Sequence, residues 1–304
     1  MRELKAYQKK ILRSVTMAFT NHVFLLLLCS TMILPFVWMV LTSFKPFNEV
    51  QNSNWIPKNW QPENYLRVFK VLTYESLTDE QKSNWHLWQY FTESVFIRYY
   101  LNSLFVAAWV TLLTCLTSAM SAFAFSRLKW KGRDKVFLAY LGTMMIPGLV
   151  LLIPTYQMMS RFSWVDTYVG LIIPSAFTAF GTFMMRQFMF TIPSALDEAA
   201  EMDGANKWQI FWDIIMPLCR PGLIVLCIFT FIGSYMGFFW PLVMLRSQSK
   251  YTLPVGLLAF DSSMGQETQL LMAAVTMSVI PLIILFVVMQ KYIVKGIQLG
   301  AVKG

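Results

Sequence analysis

The chain has 304 residues, of which 56% are hydrophobic and only 13% are charged. An average soluble domain carries about 25% charged residues, so this composition is typical of a membrane protein and excludes an ordinary soluble globular fold. The formal net charge of +9 does not indicate a nucleic-acid partner, because the basic residues are dispersed over segments that flank apolar stretches instead of forming one stripe.

Six apolar stretches are long enough to cross a bilayer, since about 20 helical residues span a hydrocarbon core of roughly 30 Å. We place them at residues 23–44, 101–125, 136–159, 168–190, 221–245 and 269–290. The predicted fold class is therefore an all-α integral membrane protein with six transmembrane helices. A face of small residues in the second stretch is suited to close helix contact. It contains Ser118, Ala119, Ser121, Ala122 and Ala124.

The basic residues predict the orientation, because cytoplasmic loops carry an excess of Lys and Arg. Such residues precede the first stretch and also fill the loop at 127–135, so both segments are expected to be cytoplasmic. The first stretch lacks a following small-residue cleavage site and is expected to stay attached as a helix. The predicted organisation is a cytoplasmic N-terminus at 1–22, a first helix at 23–44, an external segment at 45–97, a core at 98–290 and a cytoplasmic tail at 291–304.

Several kinds of chemistry have no residues to carry them. No Gly is followed by Lys, so the chain has no phosphate-binding P-loop and is predicted not to be an ATPase. All Asp and Glu residues lie outside the six stretches, which disfavours an ion-coupled secondary transporter. The four cysteines form no C-x-x-C pair and the two histidines stand alone, so no metal site is expected. No arrangement typical of a membrane-embedded enzyme is present.

Residues 193–217 form a polar and acidic stretch between two apolar ones. Pro193 fits a helix start, and Ser194 is expected to cap the first free amides. Gly204 is expected to end this helix in the left-handed conformation, and Asn206 to cap a second short helix. That second helix has an apolar stripe that is expected to lie at the membrane surface. The stripe contains Trp208, Phe211, Trp212 and Ile215.

The order Glu198-Ala199-Ala200, Asp203-Gly204-Ala205 and Pro217 resembles the EAA loop of permease subunits in binding-protein-dependent ABC importers. In that family the loop inserts a short coupling helix into a groove on a cytoplasmic ATPase. Leu196, Ala199, Ala200 and Asp203 fall at helical spacing and are expected to form a flat docking face. The resemblance implies ATPase-docking roles for Leu196, Glu198, Ala199, Ala200, Asp203, Gly204 and Ala205.

Further stretches resemble the carbohydrate-uptake group and are similar to the second permease of maltose-type importers. They include TSFKP at 42–46, the NW-P-NY pattern at 59–65, MIPGLVLLIPTY at 145–156, FWPLVML at 239–245 and QKYIVKGIQLGAVKG at 290–304. The chain departs from many relatives at Met236-Gly237, where they carry an amide or acid, and in a longer insert at 75–84.

This resemblance implies a type I ABC importer permease fold in the inner membrane, with both termini cytoplasmic. It implies four kinds of partner: a second permease subunit, two ATPase subunits, an external solute-binding protein and a carbohydrate. No cofactor is expected in this subunit, whereas ATP and Mg would bind in the ATPase subunits. The same architecture could import another solute, such as a glycerol phosphodiester, a polyamine or phosphate. A stand-alone secondary transporter is the other alternative.

Sugars bind to aromatic faces and to side chains that exchange hydrogen bonds with hydroxyls. Candidates for the substrate pathway are Asn102, Tyr156, Gln157, Tyr235 and Trp240. Arg98 and Arg161 near the outer face could attract an acidic sugar, and snorkelling at the interface explains them equally well.

Overall fold

The structure is a computed structural model, and it describes residues 2–52, 54–71, 94–264 and 267–301. The described residues are predominantly helical, which confirms the predicted all-α class. They divide into two compact units, one of residues 1–68 with 264–277 and one of residues 69–263 with 278–304. The predicted insert at 75–84 lies outside the described residues.

The first unit begins with the long helix α1, Arg2–Ser43. This helix starts well before the predicted residue 23, because the basic N-terminal segment continues the same helix. Its apolar part up to residue 41 has no buried side chain, which is the state expected of a helix surrounded by lipid, whereas Thr42 and Ser43 at its end are buried. The short helices α2, Phe47–Val50, and α3, Asn64–Val71, follow.

A buried polar network holds the loop after α1. Asn64 Nδ2 donates hydrogen bonds of 2.9 Å to the carbonyl oxygens of both Ser43 and Lys45. Lys45 is buried, and its Nζ donates to the Asn54 carbonyl at 2.7 Å. Burial of such groups is costly unless they are hydrogen-bonded, so these bonds specify the loop conformation. Ser43 and Lys45 belong to the TSFKP stretch, and Asn64 belongs to the NW-P-NY stretch.

The second unit is built around the helix α4. In chain order its helices are α4 (Val95–Ser126), α5 (Arg133–Gly142), α6 (Leu152–Arg161), α7 (Tyr168–Ser175), α8 (Ala179–Phe190), α9 (Ala195–Met202), α10 (Lys207–Leu218), α11 (Arg220–Tyr235), α12 (Phe239–Met244), α13 (Leu253–Met264) and α14 (Thr268–Ala301), whose first residues belong to the first unit.

Helix α4 packs against α7, α8 and α11 through small side chains. Ser118, Ala119 and Ala122 are buried, which confirms the predicted small-residue face. A Cβ added at Gly181 of α8 would lie 2.4 Å from Ser118 Oγ, so only glycine allows this approach of α8 to α4. Close contact of this kind is how helices associate in a membrane, where the hydrophobic effect does not drive them together.

The predicted count of six transmembrane helices is not confirmed. Among the described residues, three helices are long and apolar enough to span, and two bent pairs raise the number to as many as five. The predicted stretch 136–159 forms α5, a short 3-10 turn and α6 instead of one helix. Pro147 and Gly148 lie in the break between them, and proline removes a helical hydrogen bond.

Two other predicted stretches are also interrupted. Residues 168–190 form α7 and α8, which are bent by 42° after Pro174. The stretch 221–245 is not one helix, because α11 ends at Tyr235 and α12 starts at Phe239. By contrast, residues 101–125 and 269–290 lie within the unbroken helices α4 and α14.

Candidate coupling helix and translocation cavity

Helix α9 is a short helix between Pro193 and Gly204. It follows Pro193, but Ser194 has a helical backbone and makes no capping hydrogen bond, so the predicted role of Ser194 is wrong. At the other end Gly204 has φ of +85°, which confirms the predicted left-handed stop. No atom lies within 4 Å of the position that a Gly204 Cβ would occupy, so space around it is open within the chain.

The outward face of α9 consists of Ala195, Glu198, Ala199 and Met202, which share one side because their spacing is i, i+3, i+4 and i+7. All four are exposed, and Met202 is 87% exposed. Ala200 is buried instead, at 8% exposure, among Phe123, Met189 and Ile210 in the core beneath α9. The prediction that Ala200 lies on an exposed docking face is therefore wrong.

The other predicted docking residues lie at the surface or close to it. Leu196, Asp203 and Gly204 are exposed, and Ala205 is half-buried. Met202 was not predicted, although its position three residues after Ala199 places it on the same face. Its side chain is exposed together with the small and acidic side chains of that face.

Helix α10 begins with the predicted cap. The Asn206 side chain accepts from the Gln209 amide at 2.9 Å, and the Gln209 side chain accepts from the Asn206 amide at 2.8 Å. This pair forms a capping box. The expected apolar stripe is divided, since Phe211 and Ile215 are buried in the core while Trp208 and Trp212 are exposed.

Arg127 joins α9 to the helical bundle. It directly follows α4, and its Nη1 lies 2.9 Å from Asp197 Oδ2 of α9. Its Nη2 donates to the carbonyls of Met189 and Ile192, at 2.6 and 2.8 Å. Sequence reasoning assigned Arg127 only to the basic loop that predicts orientation, because no spacing in the sequence pairs a residue with a partner 70 positions away.

A second ion pair lies on the same side of the bundle without touching α9. Arg186 of α8 donates to Asp134 Oδ1 at 3.0 Å and to the Phe125 carbonyl at 3.1 Å. Asp134 is largely exposed, and the hydrogen bond from Arg133 holds the pKa of its carboxyl below the ordinary value.

A cavity of about 500 Å³ lies between α4, α7, α8, α11 and α12. Each of these helices contributes at least one hydroxyl group or aromatic ring to its wall, and none of the described lining residues is charged. Its polar and aromatic lining residues are Thr114, Ser175, Thr178, Phe180, Phe229, Thr230, Ser234 and Trp240. Trp240 is held in place by its Nε1, which donates to the Gly170 carbonyl at 3.2 Å.

Of the five predicted pathway residues, only Trp240 lines this cavity. Asn102 is buried and donates to the carbonyls of Ser249 and Tyr251. Tyr156 and Tyr235 also bond within the chain, to Arg246 and to the Ser278 carbonyl, and Gln157 is exposed. Neither Arg98 nor Arg161 belongs to the cavity wall, and both are exposed.

Near the other end of α4, Asp166 joins the loop before α7 to the loop after α12. Its carboxylate accepts from the backbone amides of Arg246 and Ser247, both at 3.0 Å, and from Ser247 Oγ at 2.5 Å. Lys250 Nζ donates a further hydrogen bond to Asp166 Oδ2 at 3.2 Å. Burial alone would raise the pKa of Asp166, but the hydrogen bonds from Ser247, Arg246 and Lys250 outweigh it and hold this pKa well below its usual range.

No group of three or more His, Cys, Asp or Glu side chains that could hold a metal ion is found among the described residues. The closest cysteine approach is between α4 and α11, where the Sγ atoms of Cys115 and Cys227 are 3.1 Å apart. Both thiols are free.

A bundle of broken and unbroken membrane helices, a largely apolar cavity within it that also presents hydroxyl groups, and a short surface helix are the features of a membrane transport subunit. The family of inner-membrane components of binding-protein-dependent transport systems matches residues 115–299, and the chain belongs to this family. This confirms the resemblance to ABC importer permeases that the EAA loop indicates.

Individual relatives match over most of their length. The chain is 31% identical to the arabinooligosaccharides transport system permease protein AraQ of Halalkalibacterium halodurans, over 90% of this chain and 91% of that protein. It is 32% identical to the trehalose/maltose transport system permease protein MalG of Thermococcus litoralis, over 89% and 91%. A chain in the crystal structure of a bacterial ABC transporter involved in import of the acidic polysaccharide alginate matches with a TM-score of 0.75 and 25% identity, over 90% of this chain and 95% of that one.

Proposed function

We propose that this chain is the second permease subunit of an ATP-driven sugar importer and forms one half of a pore with a related permease. An external solute-binding protein delivers the sugar, and two cytoplasmic ATPase subunits, which bind ATP and Mg, supply the energy. One observation carries this proposal: a single helical unit holds both the outward face of α9 and a cavity lined by hydroxyls and aromatic rings. The named arabinooligosaccharide and trehalose/maltose relatives support sugar as the cargo.

The outward face of α9 is the proposed ATPase-docking surface. Glu198 lies in the first turn, where the positive end of the helix dipole stabilises a carboxylate, and it remains free to meet a basic or hydroxyl group. Met202 supplies an unbranched apolar side chain that adapts to a groove. Leu196, Ala199, Asp203, Gly204 and Ala205 complete the surface. The surface and both termini would be cytoplasmic, as the basic loops favour.

The cavity is the proposed part of the sugar pathway that this subunit contributes. Hydroxyls of Thr178, Thr230 and Ser234 exchange hydrogen bonds with sugar hydroxyls, and the faces of Phe229 and Trp240 stack on sugar rings. A phosphate, a glycerol phosphodiester or a polyamine would need an opposite charge, and the cavity lining has no charged residue. This chemistry favours a neutral carbohydrate over those alternatives.

The docking surface is tested by co-purifying the ATPase with the full permease complex. Because Met202 is 87% exposed, its substitution leaves the fold intact. We expect Met202→Asp to lower ATPase recovery at least tenfold at any salt concentration, and Met202→Leu to keep it. Glu198→Lys should weaken recovery at low salt more than at high salt, since exposed charges are screened over about 8–10 Å at physiological ionic strength. Wild-type recovery for both Met202→Asp and Glu198→Lys would contradict docking through α9.

The cavity is tested by import of neutral oligosaccharides into proteoliposomes that contain the whole importer. We expect Trp240→Leu and Thr230→Val to slow import severalfold while the ATPase remains bound. Trp212→Leu is the matched control, because Trp212 is an exposed aromatic residue outside the cavity wall. Equal import by the Trp240 and Trp212 variants would argue against this route.

A further inference from the structure

We infer that the Arg127–Asp197 ion pair is the link that transmits movement of α9 to the transmembrane helices, which makes Arg127 a positioning residue for transport. This inference rests on the proposed function, because it requires an ATPase that moves α9.

Arg127 joins three helices: it follows α4, and its guanidinium contacts the end of α8 and α9. The residue itself caps α4, so its backbone moves with that helix. Its Nη2 bonds to the carbonyls of Met189 and Ile192 at the end of α8, and its Nη1 bonds to Asp197 of α9. Carbonyls at a helix end lack intrahelical donors, so Arg127 supplies a donor to the Ile192 carbonyl, adds to the bond that the Met189 carbonyl accepts from the Ile192 amide, and complements the negative end of the α8 dipole.

Burial separates this ion pair from an ordinary surface pair. The side chains of Arg127 and Asp197 are 8% and 14% exposed. Exposed pairs contribute little to stability, whereas a pair shielded from water interacts in a low local dielectric. By comparison, the Lys207–Glu201 pair is exposed at both side chains and joins α9 only to α10, so it does not reach α4 or α8.

The geometry suits a pivot. A single N–H···O bond joins the two side chains, whereas a bidentate contact would fix their relative orientation. Arg127 Nε and Asp197 Oδ1 are buried, and neither has a hydrogen-bond partner in the described part of the chain. Helix α9 can therefore rotate about one hydrogen-bonded contact and stay attached.

The test measures sugar moved per ATP hydrolysed by the intact importer in proteoliposomes. Asp197→Ala removes the link, Asp197→Glu keeps a carboxylate, and Asp197→Asn keeps an acceptor oxygen with less risk to folding. Asp134→Ala is the matched control, because Asp134 pairs with Arg186 on the same side of the bundle without contacting α9.

We expect Asp197→Ala to retain the ATPase but to move at least tenfold less sugar per ATP, with hydrolysis no longer stimulated by the binding protein. Asp197→Asn should give an intermediate ratio, Asp197→Glu should restore most of it, and Asp134→Ala should stay within twofold of wild type. The binding-protein concentration for half-maximal effect should be unchanged in Asp197→Asn, since binding occurs at the other side.

Three results would overturn the inference: a wild-type ratio in both Asp197→Ala and Asp197→Asn, an equal loss in Asp134→Ala, or loss of the ATPase from both Asp197 variants, which would make the pair a docking determinant. Failure of the proposed function is a different result. In that case the wild-type complex itself neither retains an ATPase nor imports sugar.

Discussion

The two ends of α4 hold their neighbouring segments in different ways. At the N-terminal end, Asn102 donates to the carbonyls of Ser249 and Tyr251, and Ser103 Oγ accepts from the Leu253 amide at 2.7 Å. At the C-terminal end, one side-chain bond from Arg127 joins α9 to the bundle. Helix α4 has 32 residues, which separates these ends by about 48 Å at about 1.5 Å per residue.

Asp166 strengthens the contrast. Its carboxylate receives hydrogen bonds from the backbone and hydroxyl of Ser247, the backbone of Arg246 and the ammonium of Lys250. Several bonds to one carboxylate restrict both position and orientation, whereas one bond restricts position alone. The contrast teaches that the bundle is held rigidly at the N-terminal end of α4, whereas a single side-chain hydrogen bond from Arg127 holds α9 at the other end. This asymmetry suits the proposed function, in which movement of α9 changes the cavity.

The largest expected effect is that of removing Arg127. Arg127→Met would leave the Asp197 carboxylate buried without its cation and would remove a donor from the Met189 and Ile192 carbonyls, so we expect the free energy of unfolding to fall by about 3–5 kcal/mol. Denaturant unfolding of the purified complex measures this loss. A fall below about 1 kcal/mol, the typical value of an exposed pair, would show that the C-terminal end of α4 does not depend on this residue.

Removing Asp166 should have the next largest effect. Asp166→Ala would leave several donors unpaired, at a cost of about 1–3 kcal/mol to the free energy of unfolding. Asp166 also has φ of +59°, a left-handed conformation that Asn tolerates better than Ala. Asp166→Asn should therefore cost less than Asp166→Ala. If the two variants unfold alike and close to wild type, Asp166 does not hold the loop before α7 rigidly to the loop after α12. The contrast between the two ends of α4 would then be wrong.

The sequence predicts those parts of the fold that local composition determines. Helices α4 and α14 are recognisable because their apolar stretches are uninterrupted, and the positions of Gly204 and Asn206 follow from the chemistry of helix ends. The stretch 136–159 has the same apolarity but contains Pro147 and Gly148, and apolarity alone does not show whether such residues bend a helix or interrupt it.

The face of α9 was predicted incorrectly for a related reason. Ala199 and Ala200 are equally small and both lie near acids, so helical spacing does not decide which of them faces the core. The decision comes from Phe123 and Ile210, which belong to distant segments and cover Ala200. The Arg127–Asp197 pair and the cavity depend on tertiary contacts in the same way, which explains why only Trp240 of the pathway candidates lines the cavity.

Substitutions of Gly204, which ends α9, should have a smaller effect. A side chain at φ of +85° strains the backbone, so Gly204→Ala should lower the free energy of unfolding by about 1–2 kcal/mol. Gly204→Asn should cost less, because Asn visits the left-handed region more readily. No atom of the described residues crowds this position, so any larger loss of ATPase recovery with Gly204→Ala would come from a partner that packs there. Recovery that falls only in proportion to stability would remove Gly204 from the docking surface.

The smallest expected effect is that of mild acidification on the stability that Asp166 contributes at the N-terminal end of α4. The pKa of Asp166 lies below its ordinary value in the folded chain, so its carboxylate contributes stability that is fully present above the unfolded pKa of about 3.9. That contribution is lost progressively as the pH falls from the unfolded pKa through the lower, folded pKa. We therefore expect the stability difference between wild type and Asp166→Asn to be constant from pH 8 to pH 5 and to shrink below about pH 4, because the carboxylate of the unfolded wild-type chain is protonated there first and that of the folded chain only at lower pH. Thermal unfolding of the two proteins across this range measures the difference. A difference that already shrinks between pH 8 and pH 5 would mean that the hydrogen bonds to Asp166 do not outweigh its burial, and that the N-terminal end of α4 is less firmly held than its bond distances indicate.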